Sequence, residues 1–240
     1  MKTWQKILIP TLISLAIGGG YLLYIFHQRQ NPGVVGQVDP NQSLSQDDLA
    51  VVRQFFPQYF EDLKRLEGTR VWMLAGYSMP YFPYEKGQVQ FTKPVGLIPA
   101  DQPMDVKKII KAPVPANVDD RLAHGARQAL AVFTMPGSTD TFVTPVGAME
   151  GAGEKYFTDQ LFYYDDPHTI YNHWPKDVWA AVDAHQVKPG FSELQTRMAI
   201  GMKEHPDGSI EGDRTVTYEM LGKKYTVTYV KNHATTIKVE

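Results

Sequence analysis

The sequence predicts an α+β protein with a single N-terminal transmembrane helix, then a kinked helix, a small antiparallel β-sheet or barrel region, and a C-terminal module of helices and a three-stranded meander. Three observations predict this order: a long uncharged apolar run, short apolar runs separated by glycine and proline, and strands of alternating polarity near the end. We divide the chain accordingly into a membrane anchor, a linker, a helix-plus-β domain and an α+β module, at residues 1–26, 27–44, 45–165 and 166–240.

The composition limits the classes of partner and of chemistry. The formal net charge is −2 and the chain has no run of lysine or arginine, so we do not expect nucleic acid as a partner. Cysteine is absent, which excludes disulfides, thiolate zinc sites, iron–sulfur clusters and a cysteine nucleophile.

The predicted anchor is residues 7–26, ILIPTLISLAIGGGYLLYIF. Twenty residues at about 1.5 Å each match a hydrocarbon core about 30 Å thick. Lys2 and Lys6 precede the run, whereas only Arg29 follows it closely, and this asymmetry favours a cytoplasmic N-terminus. We therefore expect a single-pass protein of the inner (cytoplasmic) membrane with its body in the periplasm.

Small residues within the apolar run suggest two further interpretations. Ala16 and Gly18 could form a signal-peptide cleavage site, but apolar residues continue beyond it, so we favour an uncleaved anchor. Gly18, Gly19 and Gly20 form a notch that would let another helix approach, although glycine is also common in membrane helices generally. The predicted partners are the lipid bilayer and other membrane-protein subunits.

The body begins with a predicted helix. Ser45 and Asp48 have the spacing of a capping box, with aspartate in place of glutamate. Apolar residues then recur at mostly helical intervals, which predicts a helix from about Gln46 to Leu66 with a kink near Pro57.

Short apolar and β-branched runs fill the region from Arg70 to about Tyr164 and predict the small sheet or barrel. Within it, residues 77–84 read YSMPYFPY, where prolines oppose regular pairing and predict a loop. A lid folded over the sheet's own core is the favoured role of this loop, and docking on a partner is the alternative. Its candidate interaction residues are Tyr77, Tyr81, Phe82 and Tyr84.

Capping signals and alternation define the C-terminal module. Asp166 before a proline suits a helix cap, Pro175 can begin a second helix, and Ser192 with Gln195 forms a capping box for a third helix that Gly201 ends. Two alternating strands and a third after a turn complete a meander.

The stretch Lys188-Pro-Gly-Phe-Ser-Glu-Leu-Gln195, the short helix and the meander together resemble the SmpA/OmlA family of outer-membrane assembly lipoproteins. The resemblance covers about Val187 to Glu240. This chain lacks the family's lipidation cysteine, and the proline that usually follows the helix is displaced to Pro206. The resemblance implies a scaffold or adaptor module of the bacterial envelope, without catalytic residues.

One cluster could hold a metal. Residues 162–179, FYYDDPHTIYNHWPKDVW, contain the candidate ligands His168, His173 and Asp165. On one continuous helix the two histidines would point about 140° apart, unlike the i,i+4 pairs that share a metal. Asp166 is explained as a cap, so we interpret the cluster as a structural corner and predict no metal and no cofactor.

Other chemical candidates have simple explanations. Ser138 lies in a turn without a nucleophile elbow, and the glycine-rich Gly147–Gly153 suits a hairpin loop. His124, preceded by Asp119 and Asp120, could act as a general base but could equally lie on a surface loop.

We therefore expect a non-enzymatic accessory subunit that stabilises a larger membrane complex, of respiratory or photosynthetic type. A small-molecule ligand is not expected. The alternatives are a membrane-anchored metal-dependent hydrolase or ligand-binding protein that uses the histidine and aspartate cluster, and an envelope assembly adaptor.

Overall fold

The computed structural model forms two units, Met1–Ser43 and Leu44–Glu240. In the first unit it describes only Trp4 and residues 18–24, all of them helical. The described parts of the second unit are residues 45–77, 79–115, 127–150, 153–203, 211–220 and 222–240.

The transmembrane helix of the predicted fold class is contradicted. Among the helices that the structure describes, none is both long and apolar enough to cross a membrane. Residues 18–24 of the predicted span are helical. The rest of the predicted span, and the predicted linker at residues 27–44, lie outside the described residues.

The predicted helix from Gln46 to Leu66 is also mostly wrong. The capping box forms, since the backbone N–H of Ser45 donates to Asp48 Oδ2 at 3.0 Å and that of Asp48 donates to Ser45 Oγ at 3.2 Å. Only a turn follows it, and residues 50–58 lie in neither helix nor sheet. Helix α1 spans Phe60–Leu63 and continues as a 3-10 turn, Lys64–Leu66.

A carboxylate that is distant in sequence explains why this segment is not helical. Asp159 accepts hydrogen bonds from the backbone N–H groups of Phe55 at 2.6 Å and Phe56 at 2.7 Å, and both donors would otherwise belong to a helix. Phe56 adopts a left-handed φ of 50°, and the following Pro57 disfavours the α conformation there. Long-range contacts therefore override the local helical pattern.

The middle of the chain forms an antiparallel sheet of nine strands among the described residues, larger than the small sheet or barrel that the sequence predicts. The strands are β1 Arg70–Met73, β2 Pro80–Glu85, β3 Gln88–Val89, β4 Gly96–Leu97, β5 Pro103–Pro113, β6 Arg127–Thr134, β7 Phe142–Glu150, β8 Gly153–Tyr156 and β9 Phe162–Tyr163. Their order in the sheet is β3-β2-β7-β6-β5-β1-β9, and β4 pairs with β2 while β8 pairs with β7. A short helix, α2 Thr158–Leu161, separates β8 from β9.

Strand β2 occupies the segment predicted as a loop. It pairs with β7 through the partners Phe82 and Val143. Its prolines cannot donate hydrogen bonds but still accept them: the carbonyl of Pro83 accepts from Gln90 N at 3.0 Å, and that of Pro80 accepts from Thr144 Oγ1 at 3.1 Å. Strand pairing therefore survives because the prolines contribute acceptors only.

The C-terminal region forms three helices and a second antiparallel sheet. The helices are α3 Pro167–Ile170, α4 Lys176–Asp183 and α5 Glu193–Ile200. The strands follow the order of the chain and are β10 Met202–Lys203, β11 Thr215–Met220, β12 Lys223–Val230 and β13 His233–Val239. The predicted meander is confirmed, and β10 adds a fourth strand to it.

One apolar cluster joins the two regions. Buried Trp179, Met198 and Tyr218 of the C-terminal region pack in the same cluster as Ala75 and Tyr163, which lie beside and within the large sheet. Residues 45–165 and 166–240 therefore share a core. Two further clusters cover the alternate faces of β6, one containing its Ala129, Ala131 and Phe133 and the other its Leu130 and Val132.

Candidate functional site

The candidate metal ligands His168, His173 and Asp165 have separate partners. His168 lies beside Asp166 and Asp183, His173 contacts Asp47, and Asp165 pairs with Arg53. The cluster that is dense in the sequence therefore divides into three polar contacts in the fold.

His168 is held on three sides by residues of α3 and α4. Its Nδ1 lies 3.1 Å from Asp166 Oδ1, and its Nε2 lies 3.1 Å from Asp183 Oδ1. Asp166 is itself fixed as the cap of α3, because its Oδ1 accepts from the backbone N–H of His168 at 3.0 Å. The imidazole stacks on the Trp179 ring with centroids 3.9 Å apart, so its position and plane are both restrained.

Asp101 brings a third carboxylate to His168 from the turn between β4 and β5. One ligand atom each from Asp101, His168 and Asp183 lie within 4.8 Å of one another. Burial raises the pKa of the Asp101 carboxyl to about 7, an effect that nearby His168 opposes. Its Oδ1 is buried and has no hydrogen-bond partner among the residues that the structure describes.

The sequence prediction missed Asp101 and Asp183. Asp183 lies four residues after Trp179, which places both on one face of α4, and this spacing could have linked it to the histidine cluster. Asp101 is far away in sequence and reaches the site only through the pairing of β5 with β1. No local pattern marks it.

His173 joins the start of the body to the C-terminal region. Its Nε2 lies 2.6 Å from Asp47 Oδ1, and Trp174 Nε1 donates to the same oxygen at 2.6 Å. The other oxygen of Asp47 accepts from Ser192 Oγ at 3.5 Å. These contacts fasten the turn at residues 45–49 to the start of α5.

Asp165 pairs with an arginine that lines a groove. It pairs with Arg53 at 3.0 Å, and both side chains are about half exposed. Arg53 also donates to the carbonyl of Tyr164 at 2.6 Å. The groove has a volume of about 310 Å³ and is also lined by Arg65 and Arg70; Arg70 pairs with Asp105 at 2.7 Å.

The four aromatic candidates of residues 77–84 do not share one exposure. Tyr77 is exposed, Tyr81 and Tyr84 are half-buried, and Phe82 is fully buried against Phe91. Phe82 therefore contributes to the core rather than to a contact surface.

The glycine candidates and the remaining chemical candidates are described only in part. Gly18, Gly19 and Gly20 are exposed, and an added Cβ at any of them would meet nothing within 4 Å. His124, Asp119 and Asp120 lie outside the described residues. Ser138 Oγ accepts from the backbone N–H of Asp140 at 3.0 Å, which is turn chemistry.

A different surface exposes large apolar side chains near the start of the body. We call it the apolar ridge, and it consists of Leu49, Val51, Phe56 and Tyr59, which are 61%, 87%, 67% and 74% exposed. The helical interpretation of this segment had placed Leu49 and Tyr59 on the buried face. The ridge follows instead from the absence of helix at residues 50–58.

No protein family, curated protein or solved structure matches this chain. The SmpA/OmlA resemblance therefore stays a prediction, and the functional argument rests on the residues described above.

Proposed function

We propose that this protein is a non-enzymatic accessory subunit of the bacterial envelope, which stabilises a larger membrane-protein complex by docking its apolar ridge on a partner subunit. The single observation that carries the proposal is the exposure of the four ridge side chains within eleven residues. Contiguous patches of exposed apolar side chains mark interaction surfaces, and we propose that these four side chains form such a patch.

Adjacent residues of the ridge segment differ strongly in exposure. Val51 is 87% exposed, whereas its neighbour Val52 is partly buried against the C-terminal core. The protein therefore holds Val52 while Val51 faces outward. Burial of this outward-facing side chain against an apolar partner surface would stabilise the complex by roughly 25 cal/mol for each Å² of apolar surface removed from water.

Polar contacts fix the ridge at several points before any partner binds. Asp47 bonds to Trp174 Nε1, Arg53 to the carbonyl of Tyr164, and Asp159 to two backbone N–H groups of the segment. A surface that is already ordered loses less conformational entropy on association. The ridge therefore suits stable docking.

The backbone of the same segment offers a second mode of contact. Residues 51–54 pair with no strand in the described part of the chain. Backbone groups of this kind can pair with an added strand of a partner, as in β-augmentation.

The experiment is native purification of the full-length chain with a mild detergent, followed by measurement of the mass and stoichiometry of its complex. The test variant is Val51→Asp with Phe56→Asp, and the control is Val95→Asp, which adds one aspartate at a residue 48% exposed in a loop. We expect a stoichiometric complex for the wild type and the control, and its loss in the test variant with an unchanged circular dichroism spectrum.

Two outcomes would contradict the proposal. One is a full-length chain that purifies alone from native extracts, and the other is a complex that persists in the double variant. The metal-dependent hydrolase alternative drew on one cluster of histidines and aspartates, but His168 and His173 contact different carboxylates and do not form one site together.

A further inference from the structure

We propose that Asp101, His168 and Asp183 bind a divalent transition-metal ion, with zinc as the best match. The site is separate from the apolar ridge and does not depend on the proposed docking function. The sequence predicted no metal, and of its candidate ligands only His168 belongs to this site, which adds Asp101 and Asp183.

The spacing of the ligand atoms fits a metal ion. All three lie within 4.8 Å of one another, and His168 Nε2 and Asp183 Oδ1 are 3.1 Å apart. Zinc bonds of about 2.0–2.2 Å at tetrahedral angles place neighbouring ligands roughly 3.3–3.6 Å apart. A shift of the Asp101 carboxylate by about 1 Å or slightly more toward the other two ligands would complete three protein ligands around one ion.

Asp166 orients the histidine as a supporting carboxylate does in metal sites. Its Oδ1 lies 3.1 Å from Nδ1 of His168, on the opposite side of the ring from Asp183. In many zinc sites the histidine that binds through one ring nitrogen donates the other N–H to a carboxylate. A neutral imidazole can donate from only one nitrogen, so a proton on Nδ1 leaves Nε2 free to bind an ion.

The second and independent observation is the buried Oδ1 of Asp101. This atom has no hydrogen-bond partner among the described residues. A buried carboxylate oxygen without a partner is costly, and a nearby cation would provide the missing interaction. Asp101 has a left-handed φ of 59° in the turn before β5, and one of its carboxylate oxygens lies within 4.8 Å of the His168 ring nitrogen.

The mixed ligand set selects the class of ion. Calcium and magnesium prefer oxygen ligands only, whereas an imidazole nitrogen with carboxylates suits zinc and its neighbours in the first transition row. His168 and Asp183 are exposed, so water can fill the remaining positions. Because the three ligands come from the β4–β5 turn, α3 and α4, the ion would clamp the large sheet to the C-terminal region.

The test uses the full-length protein after removal of metals with a chelator. Zinc binding is measured by calorimetry, and cobalt is used as a spectroscopic probe through its visible absorption and its quenching of tryptophan fluorescence, since Trp179 stacks on His168. We expect about one equivalent of zinc, little binding of magnesium, and a rise in Tm on addition of zinc.

The variants are Asp101→Asn and Asp183→Asn, with His173→Asn as the matched control outside the ligand set. Asparagine tolerates a left-handed φ, so Asp101→Asn keeps the turn, and Asp183 is exposed. We expect each aspartate variant to weaken zinc binding at least tenfold and to reduce the Tm rise, while the control binds as the wild type does.

The absence of saturable zinc binding would overturn the proposal, as would binding that survives both aspartate substitutions or is lost in the His173→Asn control. If Asp101→Asn fails to fold, as judged by circular dichroism, Asp183→Asn alone decides. The native complex of the proposed function is measured separately, so failure of one proposal leaves the other intact.

Discussion

Two capping boxes in this protein have the same local geometry and different outcomes. Ser45 and Asp48 exchange backbone-to-side-chain hydrogen bonds of 3.0 and 3.2 Å, and Ser192 and Gln195 exchange bonds of 2.9 and 3.1 Å. Only the second box begins a helix of eight residues. The difference shows that a cap alone does not determine a helix.

Burial distinguishes the two boxes. After Ser192, the residues Thr196, Met198 and Ile200 are fully buried, so the helix face is sustained by the core. After Ser45, Leu49 and Val51 are exposed. Short helices gain most of their stability from packing of one face, and the first segment has no such face.

The largest loss of stability is expected from a substitution in the C-terminal region, where a buried ion pair contacts the first turn of α5. Glu193, in the first turn of α5, pairs with Arg214, and their side chains are 1% and 8% exposed. Glu193→Ala leaves a buried guanidinium without its partner and should lower the free energy of unfolding by about 3–5 kcal/mol, as measured by urea denaturation.

Glu211→Ala is the control for this prediction. Glu211 pairs with Arg197 at 3.0 Å, but its side chain is 58% exposed. An exposed pair contributes about 0–1 kcal/mol. Equal losses for the two variants would show that burial of the ion pair is not what stabilises the C-terminal region.

The sequence predicted the C-terminal region well because its signals are local. Asp166, Ser192 and Gly201 cap helices at the predicted positions, and the meander follows from alternation within each strand. It failed at residues 46–66 and at β2, because Asp159 and strand β7 determine those conformations from a distance. The candidate metal site shows the same difference between local and long-range signals.

His168 was identified from the local density of polar residues, whereas Asp101 was missed because only the folded sheet brings it close. The apolar ridge was missed for a related reason. A periodic apolar pattern indicates a buried face only if the segment is helical, and residues 50–58 are not helical.

An intermediate loss of stability is expected when Asp159, which binds the backbone of Phe55 and Phe56, is removed. Asp159→Ala removes two charged hydrogen bonds to the backbone N–H groups of Phe55 and Phe56. The loss should be about 1.5–3 kcal/mol, since bonds to charged groups lie in this range. Hydrogen exchange should show faster exchange at these two amides, while the amides of β12 keep their relative protection.

Asp165→Ala provides the comparison for Asp159→Ala. Asp165 contacts the same segment through Arg53, but as a half-exposed ion pair, and it should cost at most about 1 kcal/mol. Unchanged protection of Phe55 and Phe56 in Asp159→Ala would mean that other contacts hold the segment extended.

The smallest losses of stability are expected from removing the two N-cap serines, Ser192 and Ser45. Ser192→Ala should cost about 1 kcal/mol, the usual loss for a helix N-cap. Ser45→Ala removes the same kind of hydrogen bond from an exposed turn, where water can replace it, and should cost less than about 0.5 kcal/mol. Urea denaturation of both variants under one set of conditions measures the difference, and circular dichroism should show a loss of helix only for Ser192→Ala. A loss at Ser45 equal to that at Ser192 would mean that the first turn also supports the core, most directly through Asp47, which bonds to Trp174.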